Sequence, residues 1–422
     1  MLVAAVAAFC TYFCMYAFRK PFTAGTFEET ELYGVGLKPL LVISQLAGYM
    51  LSKFIGIKVV SEMRAESRAA SIILLIVAAE AALVGFAYMP LSLKPAMLFL
   101  NGLPLGMIFG LVVAYLEGRR HTEALTAALC ASFIISSGVV KSVGRWLVQG
   151  VGVSEFQMPM WTGLIFLPAL LVSVWVLQRT PSPDAHDVSL RSERASMDRA
   201  SRRAFLSTYW PGLFLLLLVY VILTTIRTLR DDFGVEIWRD LGIDQTPSVF
   251  ALSETVVAFC VVAVNALAIW IAHNLTAIRA TMGLMAAAFM GVAGAALLQD
   301  AGRATPFAFM VACGVGLYIP YVAFHTTVFE RLIAASSRPG NLAFLMYVAD
   351  AIGYLGYILA LMLANLFGTT GNMLPLFQIS LIVGAGLSLV CLGAALWYFH
   401  RVLHEDNPSL DDRPAFETQG GR

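Results

Sequence analysis

Long apolar runs fill this chain almost from end to end. Twelve can be delimited, at 2–27, 39–60, 70–89, 95–117, 124–149, 156–178, 208–230, 247–272, 276–298, 305–329, 341–366 and 375–399, each about 20–26 residues long. An α-helix of that length crosses a hydrocarbon core of about 30 Å with some tilt. Backbone polar groups have no water to bond in lipid, so runs of this kind must satisfy them internally, as helices. Of the 422 residues, 59% are hydrophobic and 13% charged, against about 25% charged in an ordinary soluble domain. The expected fold is an all-α polytopic membrane protein with 12 transmembrane helices.

The longest polar stretch falls between the sixth and seventh runs. Rich in Ser, Arg and Asp, with Pro181 and Pro183, it shows no apolar periodicity and reads as a cytoplasmic linker. The expected organisation is a six-helix half at 1–178, a linker at 179–206, a second six-helix half at 207–400 and a cytoplasmic tail at 401–422. Arg64, Arg68, Arg119, Arg120, Arg279, Arg331 and Arg338 fall on one side of the spans, against Lys38, Lys94, Arg239 and Arg303 on the other. The positive-inside rule then places both termini in the cytoplasm of a bacterial inner membrane. The first run lacks a basic leading region and is too long for a signal peptide, so it reads as a span. The six cysteines lie within the runs without metal-ligand spacing and read as small core residues. No metal and no cofactor is expected.

Charges inside the runs carry the functional signal. Arg19 and Lys20 sit together in the first run; Arg227 and Arg230 sit in the seventh, Arg227 coming 208 residues after Arg19. A cation at the centre of a spanning helix costs roughly 2.5–3.5 kcal/mol on insertion scales, and such residues mark substrate or ion paths. A weak internal repeat has a similar offset: Gly102, Gly106 and Gly110 lead to Glu117 and Arg119, and Gly314, Gly316 and Pro320 lead to Glu330 and Arg331. Two related six-helix halves joined by a central loop resemble the major facilitator plan, which places substrate near the midplane between the halves. The repeat relates Arg19 to Arg227. Two planar guanidinium forks at such a position suit an oxyanion; interfacial snorkelling is the competing reading.

Tyr12, Tyr16, Arg19, Lys20 and Phe22 spell Y-x3-Y-x2-R-K-x-F. This resembles the first helix of the organophosphate:phosphate antiporters, the major facilitator branch that includes the glycerol-3-phosphate and hexose-phosphate transporters. Ser52-Lys53-Phe54 is similar to that branch's second helix, Arg227 with Asp232 to its seventh, Gly353 with Gly356 to its eleventh, and Gly102 to Met107 to its fourth. The resemblance implies that Arg19 and Arg227 clamp a phosphoryl group, that Lys53 adds positive potential and that Tyr12 and Tyr16 line the cavity. Tyr12, Tyr16 and Arg19 fall on one helical face by spacing. The chain departs from the branch in its fifth helix, where an N-x-x-H-N segment is expected and no histidine occurs. Lys141 and Arg145 appear further along instead; Lys141 reads as a third anion ligand or as an interfacial cation, and Arg145 as interfacial.

Glu80, Glu254 and Asp350 lie deep in runs three, eight and eleven. An unpaired ionised carboxylate there would be prohibitive, so each is paired, neutral or a proton carrier. Lys20, Lys53, Lys141 and Arg230 are the available partners, and Lys20 reads as balancing a buried acid. Asp350 is the best candidate for coupling, and His325 could carry a proton near neutral pH. Asp231 and Asp232 either tune Arg227 and Arg230 or cap their helix. The function expected from all this is secondary transport of a small anionic, phosphorylated metabolite by alternating access, with exchange for inorganic phosphate. A proton-coupled symporter of a carboxylate or zwitterion is the alternative, and a non-transporting membrane sensor of a sugar phosphate is a third reading. No nucleophile–base or metal constellation points to an enzyme. The expected partners are the metabolite, inorganic phosphate or protons, and the lipid bilayer, with no nucleic acid; a monomer is expected.

Overall fold

The computed structural model describes residues 2–28, 30–116, 122–180, 199–244, 246–268, 271, 273–336, 342–366 and 373–406. Most of the linker and the tail, with Glu117, Arg119 and Arg338, lie outside the described residues. Among the described residues the regular structure is helical apart from one small hairpin, β1 (Glu31–Leu32) and β2 (Val35–Gly36), whose turn uses positive φ at Tyr33 and Gly34. The helices are α1 (Leu2–Arg19), α2 (Leu37–Glu62), α3 (Arg68–Tyr88), α4 (Lys94–Leu116), α5 (Thr122–Trp146), α6 (Met158–Gln178) and α7 (Arg199–Asp232). They continue with α8 (Gly234–Asp240), α9 (Ser248–Ala268), α10 (Asn274–Asp300), α11 (Pro306–Ala323), α12 (Phe329–Ala335), α13 (Leu342–Leu366) and α14 (Met373–Asp406).

Among the described residues, ten helices are long and apolar enough to cross a membrane, and Val3–Arg19 is a shorter apolar helix. This is a multi-pass integral membrane protein. The first apolar run is shorter as a helix than its composition suggests. Pro21 follows two residues after Arg19 and has no N–H to continue the ladder, although Lys20 keeps near-helical angles and its N–H still bonds the Tyr16 carbonyl at 2.9 Å. The α-helix therefore stops at Arg19, and Pro21–Ala24 form a separate 3-10 turn.

Two compact units make up the chain. The first contains Met1–Arg191, Leu229–Ala258 and Ile358–Leu376; the second contains Ser192–Thr228, Phe259–Tyr357 and Phe377–Arg422. The division runs through α7, α9, α13 and the first turn of α14.

In the first unit α2 packs along α4, and α1 packs against α4, α5 and α6. Glycine makes the α2–α4 approach possible. A Cβ at Gly102 would lie 2.2 Å from the Gln45 carbonyl oxygen, and one at Gly106 would lie 2.6 Å from that of Tyr49. This is close backbone packing of the small-xxx-small kind. In the second unit α10 packs on α11. Gly353 and Gly356 of α13 meet Tyr220, Val221 and Thr224 of α7 at similarly short range. The helix begun by α11 opens into a π-turn at Phe324–Val328 before resuming as α12. Pro320 lies just upstream and has no N–H to give the ladder. Side chains take up carbonyls at the opening: His325 Nδ1 is 2.8 Å from the Tyr321 carbonyl and Thr326 Oγ1 2.9 Å from that of Val322.

Candidate functional site

Because α1 ends at Arg19, its last carbonyls have no partner within the helix. Two polar residues from neighbouring spans supply the donors. Gln45 Nε2 donates to the Arg19 carbonyl at 2.7 Å and to Asn101 Oδ1 at 2.8 Å. Asn101 Nδ2 donates to the carbonyls of Phe18 and Ala79, both at 3.0 Å. All the polar capacity of the Asn101 amide group that these bonds use is directed at α1, α2 and α3, and the fully buried side chain joins those helices to α4. The backbone beneath Arg19 is thereby fixed.

The Arg19 side chain is buried, with its guanidinium carbon 3.8 Å from the centre of the Tyr49 ring and 5.6 Å from that of Tyr16. Tyr12 meets Tyr16 and Phe109 edge-on, so the tyrosines of α1 form a continuous aromatic wall. Lys53 Nζ is 5.5 Å from the Tyr49 ring centre. Tyr49 thus touches both cations, a role that its place in an apolar run does not announce.

Beside this wall the first unit holds a set of ion pairs, most of them buried and two, Arg145–Asp244 and Arg239–Glu28, partly exposed. Lys20 Nζ lies 2.6 Å from Asp231 Oδ2 and 2.5 Å from Asp232 Oδ1. Lys141 and Ser137 of α5 both donate to the other oxygen of Asp231. Arg230 meets Glu254 at 2.8 Å, and Arg145 meets Asp244 at 3.2 Å. Lys38 bonds both oxygens of Glu236 and the Thr23 carbonyl. Arg239 pairs with Glu28. Lys141, read from sequence as an anion ligand or interfacial group, is therefore engaged by a carboxylate. Arg145, read as interfacial, is buried. Glu80, read from sequence as paired, neutral or a proton carrier, has both carboxyl oxygens enclosed without a hydrogen-bond partner among the described residues. The absence of a side chain at Gly163 leaves room for it, since a Cβ there would lie 2.3 Å from Glu80 Oε2.

In the second unit Arg227 has surroundings like those of Arg19. Its guanidinium carbon is 4.2 Å from the Tyr321 ring centre and 5.6 Å from that of Tyr318, and the side chain is buried. Tyr220, two turns before Arg227 on the same face of α7, donates to Asp350 Oδ1 at 2.5 Å. His325 Nε2 is 3.8 Å from that same oxygen, and its ring lies 4.4 Å from the ring of Tyr321. Arg227, Tyr321, His325, Asp350 and Tyr220 form one contiguous polar and aromatic group inside an apolar bundle. Among the described residues no cluster of His, Cys, Asp or Glu has the makings of a metal site.

The sequence profile of a family of unknown function, DUF5690, matches residues 21–402. This chain belongs to that family. No curated protein matches the sequence significantly. Two solved structures are similar to this DUF5690 member along nearly its whole length. One is the D-xylose-proton symporter, with a TM-score of 0.62 and 12% identity over 94% of this chain and 96% of that one. The other is a variant of the nucleoside transporter NupG, with a TM-score of 0.61 and 13% identity over 94% of this chain and 99% of that one. At such identities the likeness shows the fold alone, which this chain shares with these two transporters. It does not distinguish the organophosphate branch.

Proposed function

We propose that this protein is a secondary active transporter of a small anionic metabolite, working by alternating access between two six-helix halves at 1–178 and 207–400. One observation carries the reading. Arg19 and Arg227 are each buried in their own unit against two tyrosines, Tyr49 and Tyr16 for one, Tyr321 and Tyr318 for the other. The quadrupole of an aromatic face attracts a guanidinium and holds it in place, and the planar fork of donors matches an oxyanion bidentately. Arg19 and Arg227 are the anion ligands in this proposal, with Lys53 adding positive potential beside Tyr49.

Two kinds of coupling fit an arginine-bound anion. Exchange for inorganic phosphate rests on the resemblance of the first and seventh helices to the organophosphate antiporters. Proton-coupled symport of a carboxylate or zwitterion is the better supported of the two. One of the similar structures is a proton symporter, and the second unit holds a histidine and a carboxylate 3.8 Å apart. Uptake into proteoliposomes, measured for labelled phosphorylated metabolites, carboxylates and amino acids, tests both. Accumulation driven by an inward proton gradient, without phosphate inside, supports symport; counterflow that needs internal phosphate supports exchange. Transport at the unmodified rate by both Arg19→Gln and Arg227→Gln would sink the anion-ligand assignment.

A further inference from the structure

The π-turn at Phe324–Val328 sets the orientation of His325. A carbonyl oxygen only accepts, so the 2.8 Å contact to the Tyr321 carbonyl puts a hydrogen on Nδ1. In the neutral ring Nε2 then carries a lone pair, and that atom faces Asp350 Oδ1 at 3.8 Å. A lone pair and a carboxylate oxygen repel at this range inside an apolar bundle, and one proton removes the conflict. On Nε2 it makes an imidazolium–carboxylate pair; on Asp350 it makes a neutral acid beside a neutral imidazole. Tyr220 donates to the same carboxylate oxygen at 2.5 Å.

The charged and titratable groups around this pair can be named element by element. From α7 come Tyr220 and Arg227, from α11 Tyr318 and Tyr321, and from α13 Tyr354, one turn after Asp350. The π-turn also packs against α10 and α12. Of the charged groups there, Arg279 is bonded to His400 at 2.9 Å, Arg331 to Asn274 at 3.0 Å, Asp300 is the last residue of α10, and Glu330 follows Phe329 at the start of α12. Tyr321 is the link to the anion ligand. Its ring centre lies 4.4 Å from the His325 ring and 4.2 Å from the guanidinium carbon of Arg227. A proton at His325 therefore adds a second positive charge beside a ring that already holds one.

We propose that His325, Asp350 and Tyr220 form a proton-binding site, and that an anion neutralising Arg227 raises the affinity of this site for its proton. Coupling of this kind is reciprocal, so the protonated site also holds the anion more tightly. That is the thermodynamic condition for carrying both in one direction. The coupling rests on the anion-transport reading; the proton site does not.

The test uses full-length protein labelled with 15N-histidine in nanodiscs, with the His325 resonances identified by their loss in His325→Gln. His325 is expected to keep its Nδ1 proton throughout and to gain one at Nε2 as the pH falls. Asp350→Asn is expected to lower the midpoint by about one pH unit or more, Tyr220→Phe to raise it, and Asp350→Glu to restore titration. A midpoint or ring charge unchanged by Asp350→Asn overturns the site. The titration is then repeated with inorganic phosphate and with citrate as probe anions, their binding read separately by calorimetry. A bound anion is expected to raise the midpoint by about one unit, a tenfold gain in proton affinity, and not to do so in Arg227→Gln. An anion that binds through Arg227 and leaves the midpoint in place overturns the coupling. If no probe anion binds while Asp350→Asn behaves as described, the transport reading fails and takes the coupling with it, and the proton site stands.

Discussion

Lys38 Nζ lies 2.5 and 2.7 Å from the two carboxylate oxygens of Glu236 and 3.0 Å from the carbonyl of Thr23. The lysine begins α2, the glutamate sits on the short α8, and both side chains are buried. Removing one member of such a pair leaves a charge without compensation, at a cost of about 3–5 kcal/mol. Glu236→Gln is expected to lower the melting temperature of the detergent-solubilised protein sharply. The double variant Lys38→Met/Glu236→Leu is expected to recover most of the loss, because the penalty belongs to the orphaned charge. Equal loss in both would mean that the pair itself supplies the stability.

Replacing Arg19 or Arg227 by lysine keeps the charge but removes the planar fork and much of the contact with Tyr49 or Tyr321. One charge-assisted hydrogen bond is worth about 1.5–3 kcal/mol, so anion uptake at limiting substrate is expected to fall about ten- to hundredfold in each variant, with the melting temperature little changed. Uptake within twofold of the parent protein would show that charge alone suffices.

Asn101 joins α4 to carbonyls of α1 and α3 and to Gln45 of α2. Asn101→Leu strands several buried polar groups at about 1–3 kcal/mol each, and it releases the segment that aims Arg19. The expected result is a rise in KM for the transported anion together with a lower melting temperature. A normal KM in a destabilised protein would separate the scaffold from the binding site.

Gly102→Ala would place its Cβ 2.2 Å from a backbone oxygen of α2. Overpacking of this sort costs about 1–3 kcal/mol. Gly291→Ala in α10 is the control, since no atom beyond its own stretch of helix lies within 4 Å of the position its Cβ would take. Thermal denaturation is expected to separate the two variants clearly, with Gly291→Ala at or slightly above the parent value.

The helical, membrane-embedded character of the chain was legible in its apolar runs, because the length needed to cross lipid is fixed by the helix rise. The end of α1 was less so. Composition continues apolar past Arg19, and only Pro21 marks the stop. Charge pairing was legible in kind and not in partner. A buried lysine predicts an acid nearby, but the choice of Asp231 and Asp232 for Lys20 depends on helices 212 residues apart in sequence. Gln45 and Asn101 were overlooked because single amides in apolar helices carry no periodic signal, although a buried amide must find partners. Tyr49, Tyr318 and Tyr321 were hidden among other aromatic residues for the same reason. The π-turn that aims His325 left only Pro320 as a trace.

The ion pairs of the first unit have a consequence for how the protein is made. Lys20 and Lys141 find Asp231, and Lys38 finds Glu236, so three buried lysines depend on carboxylates that the ribosome reaches much later. Asp231 follows Lys141 by 90 residues, which at about 5–20 residues per second is roughly 5–18 s of synthesis. During that interval these lysines lack the carboxylates that pair with them in the folded protein. The insertion machinery must hold the lysines, and a ribosome paused before residue 231 would strand them in that state.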